Sequence, residues 1–422
     1  MACRTVCAWA FVAWLVASFG AIGCARDHGT ADPALRPATP RIARDQMRYA
    51  LQMGTRYLIQ RQQADGSWRS DRYAPFRDGT ALTPLVLTAM QAAWDSGDTE
   101  PELAQTIRAG CAFMLQFSDP RGSLRIAEDQ LEYPVYTAAL TVQVFSHARA
   151  GQAAAARQAW VQYLKERQLV ETHGWQRGDK EYGGWGYCRL IPRKPAPGEL
   201  APALLESNLS ATVHAVQALA EAGSLDAATA QAALVFIRRR HNWSPIVQGP
   251  GNDGGFHFIY DDPVRNKAGS TWVAEGPYLP DESLRPLWYF SYGSATADGL
   301  RALLLCGERD SQRIEAARAW LREHFRADRH PGYYPPIREY QRDAVYYYYT
   351  ASVARAMQLA HIQLADGRSW ASELAAALVT RQQADGSWQN AHDLVREDEP
   401  LVATALALTA LAHCHRTLFS PR

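Results

Sequence analysis

Two aspartates, Asp78 and Asp298, stand where this chain could carry out acid–base chemistry. Each lies beside the start of an apolar, helix-forming run, and a carboxyl group held there out of water can keep or release a proton near neutral pH. Around them fall Tyr133, Tyr136, Tyr292, Tyr346 and Tyr349, with Asn208 and His214. Aromatic walls with a few polar groups suit an apolar or amphipathic small molecule, or a stacked sugar ring; the same residues can equally pack a core with their hydroxyls bonded at its rim. The run Tyr346–Tyr349 cannot turn every ring into one cavity, because helical geometry spreads them round. Glu206 and the trio Glu397, Asp398 and Glu399 are further acidic groups near helix starts, where a negative charge is favoured in any case.

Metal chemistry finds little support. Cys111, Cys188, Cys306 and Cys414 show no ligand spacing, and their apolar surroundings favour packing. His413, Cys414 and His415 are consecutive on a helix, so their side chains diverge. No metal and no cofactor is expected.

The elements that must position these groups are repeats. The octapeptide Arg-Gln-Gln-Ala-Asp-Gly-Ser-Trp begins at Arg61 and again at Arg381. Each copy ends one helical stretch and precedes a second, more apolar one, so the unit is helix, turn, helix. Asp65-Gly66 and Asp385-Gly386 supply the turn, and Trp68 and Trp388 supply a large apolar anchor. Weaker second helices align on Thr83, Thr137, Thr212, Thr296, Thr350 and Thr404, with steps of 54, 75, 84, 54 and 54 residues.

A helix pair cannot bury its apolar face alone, so the units must stack. Second helices that are apolar nearly all round suit an inner ring covered by the first helices. The matching octapeptides of the first and last units become neighbours if the row closes. The expectation is an all-α (α/α)6 toroid over residues 45–416; an open helical solenoid is the alternative.

Gln62, Asp65, Gly66 and Trp68, with Gln382, Asp385, Gly386 and Trp388, resemble the QW repeats of squalene-hopene and oxidosqualene cyclases, and the arrangement resembles the wider terpene cyclase and protein prenyltransferase toroids. The resemblance implies that each Gln works with its Trp to tie neighbouring outer helices. It also implies an inner-helix mouth over a central cavity, but the family's chemistry does not carry over. The two residues before each aligned threonine include no carboxylate, so the cyclases' Asp-x-Asp-Asp-Thr acid is missing. Tyr292, Ser294 and Tyr349 occupy the places of the prenyltransferase zinc ligands. Cys306-Gly307-Glu308-Arg309 is similar to the Cys-Gly-Glu-Gln of thioester domains, yet lacks the Gln and follows an inner helix where a terminal Gly is common. Asp298 and Asp78 remain as candidates for a general acid.

Between the turn aromatic and the aligned threonine lie 15 residues in the first unit and 16 in the sixth, but 27 in the third and 40 in the fourth. Extra chain gathered on one rim marks a working face.

The N-terminus differs. Arg4 is followed by an uncharged apolar run to Gly23, and Ala21-Ile22-Gly23-Cys24 resembles a lipobox, which implies cleavage and lipidation at Cys24. An ordinary cleaved signal and a retained membrane anchor are the other readings. Residues 1–24 are thus read as an export signal and 25–44, with Pro33, Pro37 and Pro40, as a tether. The expected location is the exported face of a bacterial membrane. With 44 Lys and Arg against 43 Asp and Glu, nucleic acid is not an expected partner.

The sequence therefore points to an exported, squalene-cyclase-like or prenyltransferase-like toroid that binds an isoprenoid or other apolar small molecule or lipid in its centre. A glycan-active toroid is the rival, since Asp78 and Asp298 belong to opposite units. A non-catalytic scaffold at the membrane surface is the third reading.

Overall fold

Apolar residues recurring all round a helix have to be covered on every side, and six such helices here cover one another. The computed structural model describes residues 42–420 apart from 98–99, 120, 128–129, 148–150, 247–248, 250, 261, 263 and 272–287. The export signal, Cys24 included, and the tether as far as residue 41 lie outside the described residues, while Arg44, read as the tether's last residue, opens the first helix. Thirteen α-helices are described, and β-structure among the described residues is limited to isolated bridges.

Helices α1 (Arg44–Ile59), α3 (Leu103–Leu115), α5 (Gly151–Lys165), α7 (Ala227–Arg239), α9 (Ser311–His324) and α12 (Trp370–Arg381) are the first members of six hairpins. Their partners are α2 (Leu82–Asp95), α4 (Pro134–His147), α6 (Leu209–Glu221), α8 (Gly293–Leu305), α11 (Tyr346–Leu359) and α13 (Pro400–Phe419), while α10 (Glu339–Ala344) is a short turn before α11. Each inner helix packs on the next, and α13 packs on α2, so the inner ring is closed. The solenoid is set aside. Helix α13 is long and apolar enough to cross a membrane, but most of it is buried as one stave of this ring.

The repeated letters explain the closure. Trp68, Trp185 and Trp388 are fully buried, and each indole Nε1 donates at 2.8 Å to a carbonyl of the preceding outer helix, at Leu58, Leu164 and Leu378. The aligned threonines have a job as well. The backbone N–H groups of Trp68, Trp185, Phe256 and Trp388 donate to Oγ1 of Thr83, Thr212, Thr296 and Thr404 at 3.0–3.1 Å, pinning each turn to its inner helix. Thr137 and Thr350 make no such bond; Thr350 turns back to the Tyr347 carbonyl.

Gln62 Nε2 donates to the carbonyls of Gly66 and of Thr106 in the next outer helix, at 3.0 and 2.9 Å. Gln382 does the same to Gly386 and to Ala50 in α1, at 2.9 Å each. Gln168 is a third copy, bonded to Gly183 and Thr229 at 2.9 and 3.0 Å, not evident in the sequence because it stands 15 residues before its turn glycine, where Gln62 and Gln382 stand four before theirs. Asp65 and Asp385 accept from the N–H and hydroxyl of Ser67 and Ser387, holding the turns. Gly66 and Gly386 have φ of +88° and +91°, and a Cβ on either would lie 2.3 Å from a carbonyl oxygen of the neighbouring outer helix.

Candidate functional site

Polar residues on the inner helices fall at helical spacing: Ser210, His214 and Gln217 on α6; Asp298 and Arg301 on α8; Tyr348, Ser352 and Arg355 on α11. An inner helix is covered by two ring neighbours and an outer helix, so the remaining side faces the axis. The bonds agree. Helices α6 and α11 are the two ring neighbours of α8 and not of each other, yet Ser210 Oγ bonds the Tyr348 hydroxyl, so this contact runs across the inner face of α8.

Four inner helices share the network. Tyr136 of α4 bonds Ser210 at 2.7 Å and the Tyr187 hydroxyl at 3.0 Å. The Tyr348 hydroxyl donates to Asp298 Oδ2 at 2.7 Å, and Arg301 donates to Asp298 Oδ1 at 3.0 Å. Arg301 also donates to the Gln217 side-chain oxygen. His214 meets the edge of the Tyr136 ring at 4.8 Å and lies parallel to Tyr348 at 6.3 Å. On α2 and α13 the partly exposed positions are mixed: Leu85 and Leu406 are apolar, while Gln91 donates to the Val144 carbonyl at 3.1 Å and His413 Nδ1 lies 2.6 Å from the Gln358 side-chain oxygen.

The electrostatics follow from burial. Asp298 is only 2 % exposed, and burial raises its carboxyl above the usual range against the pull of Arg301 and the hydrogen bonds of Tyr348 and Ser352. Burial pushes the Tyr136 phenol up to about 12, with its bonds to Ser210 and Tyr187 opposing. Burial, then the charge of Arg301, lowers His214 to about 3. Its Nδ1 faces the Ser210 carbonyl at 2.8 Å, so Nδ1 carries the proton of a neutral ring. Burial and the neighbouring Arg301 lower Arg355 to about 10. The centre therefore holds a buried carboxyl group that accepts from Tyr348 and Arg301, its neutral form favoured by burial and its charged form by those two partners.

Of the residues singled out in the sequence, Asp298, Tyr136 and His214 come together here. Tyr133 stands beside them on Phe76, ring centres 6.1 Å apart. The others go elsewhere. Asp78 is an exposed loop residue whose carboxylate accepts from the Thr80 N–H and hydroxyl at 2.8 Å. None of the bonds of the Asp298 network described above involves it. Asn208 caps α6, accepting from the Ala211 N–H at 2.9 Å. Tyr346 and Tyr349 turn to the loop that follows α9 and donate to the carbonyls of Ala327 and Arg326, and Tyr292 packs edge-on to His330. All three are buried core residues and not cavity walls. The axial member of the run is Tyr348. Glu397, expected as a helix-start charge, is wholly buried and accepts from the Tyr347 and Tyr348 N–H groups at 2.9 and 2.7 Å.

Two surface recesses lie off the axis at the long insertion of the fourth hairpin. One of about 400 Å³ includes Trp243, Asp253 and Trp320; a second of about 270 Å³ includes Trp243, His257, Tyr260, Trp288 and Tyr289. Among the described residues no three His, Cys, Asp or Glu side chains are grouped as a metal site.

The fold is that of the helical toroids to which terpene cyclases belong. No family model and no curated protein sequence matches the chain. Among solved structures, a variant of the type II terpene cyclase MstE from Scytonema, solved with geranylgeranyl dihydroxybenzoate, is similar over 89% of this chain and 99% of its own, with a TM-score of 0.52 at 12% identity. A possible member of the GH105 family from Salmonella enterica serovar Paratyphi A is similar over 92% of this chain and 98% of its own, with a TM-score of 0.51 at 15% identity. A possible GH105 member from Klebsiella pneumoniae gives 0.51 at 16% identity, over 92% of this chain and 97% of its own. The chain thus shares the all-helical toroid fold of these structures. At these identities the likeness speaks for the architecture.

Proposed function

We propose that this toroid binds an isoprenoid or similarly apolar molecule on the axial face of its inner ring, and that Asp298 protonates a carbon–carbon double bond there. The observation that carries the reading is the buried Asp298 carboxyl, raised by burial and bonded by Tyr348 across a helix pair. A neutral carboxyl is a proton donor, and aromatic and aliphatic neighbours tolerate the cation that protonation leaves. In the step, the Asp298 O–H bond breaks and a new C–H bond forms from the alkene π pair. The cation is closed by a second double bond, and a proton leaves the product for a basic group, so ligand and product are isomers. The type II terpene cyclase MstE, solved with geranylgeranyl dihydroxybenzoate, supports the ligand class by analogy of architecture. The lipobox-like Cys24 supports a lipid-anchored toroid on the exported side of a membrane, where such lipids are at hand.

The test begins with mass spectrometry of lipids that co-purify with the protein from its own membrane. The bound species is then returned to the protein in deuterium oxide. Expected is an isomer one mass unit heavier, formed by the unaltered protein and by Tyr348→Phe at a reduced rate, and absent with Asp298→Asn. Product formation by Asp298→Asn at the unaltered rate rules Asp298 out as the donor. Recovery of soluble glycans and no polyprenyl species overturns the ligand class.

A further inference from the structure

We propose that four hydroxyl groups, those of Tyr187, Tyr136, Ser210 and Tyr348, form a relay that returns a proton from solvent to Asp298 after each turnover. The inference rests on Asp298 as the proton donor proposed above. A carboxyl that gives its proton to a double bond is left a carboxylate and needs another proton before it can act again. Asp298 is 2 % exposed, so it barely meets water itself.

The four groups are joined end to end. The hydroxyls of Tyr187 and Tyr136 are 3.0 Å apart, Tyr136 lies 2.7 Å from Ser210 Oγ, Ser210 Oγ bonds the Tyr348 hydroxyl, and Tyr348 lies 2.7 Å from Asp298 Oδ2. Oxygen positions leave the donors open, but an ionised carboxylate settles them. It can only accept, so the one proton of Tyr348 points at it. Tyr348 must then accept from Ser210, Ser210 from Tyr136, and Tyr136 from Tyr187. Every bond is thereby polarised toward Asp298, and each strengthens the next. Burial pushes the Tyr136 phenol up to about 12 and those of Tyr187 and Tyr348 well above their ordinary value, so no member stands ionised at neutral pH.

The outer end belongs to no inner helix. Tyr187 is partly exposed in the extra chain of the third hairpin, where its N–H donates to the Leu204 carbonyl at 3.2 Å and its ring stacks on Tyr136 at 5.5 Å. An apolar molecule on the axial face would cover Tyr136 and Tyr348 and leave the rim residue Tyr187 as the entry. In the step, solvent gives one proton to the Tyr187 oxygen, and the protons of Tyr187, Tyr136, Ser210 and Tyr348 each move one place along, the last onto Asp298 Oδ2. Each hydroxyl ends with one proton, as it began. Solvent loses one, Asp298 gains one, and no electrons change hands. Rotation about the C–O bonds resets the chain.

The test follows the Asp298 carboxyl by stopped-flow infrared spectroscopy as the full-length protein is diluted from water into deuterium oxide. Squalane, a saturated isoprenoid that cannot be protonated, is present throughout. The band to follow is the one that Asp298→Asn removes. Its exchange should be slowed about tenfold or more by Tyr136→Phe and by Ser210→Ala, restored by Ser210→Thr, and not slowed by Tyr346→Phe, which removes a buried phenol bond outside the chain. A merely structural loss has the opposite sign, because loosened packing speeds exchange. Exchange that stays as fast, or quickens, in both Tyr136→Phe and Ser210→Ala overturns the relay and leaves Asp298 a proton donor. Absence of a protonated Asp298 band between about pH 4 and pH 8 overturns the donor reading itself, and the relay with it.

Discussion

Gln382 donates its side-chain amide at 2.9 Å to the carbonyl of Ala50, and so joins the sixth hairpin to the first. Replacing it with alanine leaves two carbonyls short of a donor. Gln382→Ala should lower unfolding stability by about 1–3 kcal/mol, and Gln382→Glu, which sets oxygen against oxygen, by more. Urea melts give the size, and amide exchange in α1 and α12 should quicken before the rest. An unchanged midpoint would show that the ring closes without this bond.

Gly183 and Gly198 share a φ near +85°, at +88° and +85°, but differ in surroundings. A Cβ on Gly183 would lie 1.8 Å from the Ala232 carbonyl oxygen, whereas Gly198 has open space. Gly198→Ala bears only the backbone cost, about 1 kcal/mol, while Gly183→Ala must also push α7 away. The melting temperature should therefore fall far more for Gly183→Ala. Equal losses would contradict the close approach of turn and helix.

Acid and base should act on different groups. Burial lowers His214, His241 and His330 to about 3 from an ordinary 6.5, so the unfolded chain takes up protons that the folded chain refuses. Their contribution is whole above pH 6.5 and is lost as pH falls toward 3. Glu397 has the opposite sign, because burial raises it to about 7 against the bonds of Tyr348 and Tyr347. Its contribution is whole below about pH 4.5, the ordinary value, and is lost as pH rises through 7. Urea midpoints across pH 4 to 8 check both. The acid slope should shrink in His214→Gln, and Glu397→Gln should gain on the unaltered protein between pH 5 and 8. A profile that His214→Gln and Glu397→Gln leave unmoved would remove both groups from the account.

Cys24→Ser should abolish incorporation of radiolabelled palmitate and shift the protein from the membrane to the soluble fraction. Retention in the membrane without label would favour an uncleaved apolar anchor over the lipid.

Much of the architecture was legible because its carriers are large or conformationally demanding. Trp68 and Trp388 each fix a turn, and Gly66 and Gly386 adopt a backbone that few other residues accept. The aligned threonines were found by spacing alone, and the structure supplies their reason in the bonds to the turn N–H groups. Gln168 escaped notice because 15 residues, and not four, separate it from its turn glycine, Gly183. The centre was harder. Adjacent tyrosines on a helix look alike as letters, yet one residue of rotation separates Tyr348 on the axis from Tyr349 in the core. Asp78 looked like a partner for Asp298 because opposite units were expected to face each other; the structure shows it exposed in its loop and bonded to Thr80. The period of Ser210, His214 and Gln217 was the readable signal, three polar residues on one stripe of an otherwise apolar helix.

Helix α1 packs on α12 and α13, and the Arg44 guanidinium lies 5.4 Å from the ring centre of Phe419. The first and last helices are thus seam neighbours, and the order of staves has no physical beginning. A circularly permuted gene that links Arg44 to Phe419 by a short flexible peptide and opens the chain at Gly223 would encode the same barrel of hairpins, merely started elsewhere.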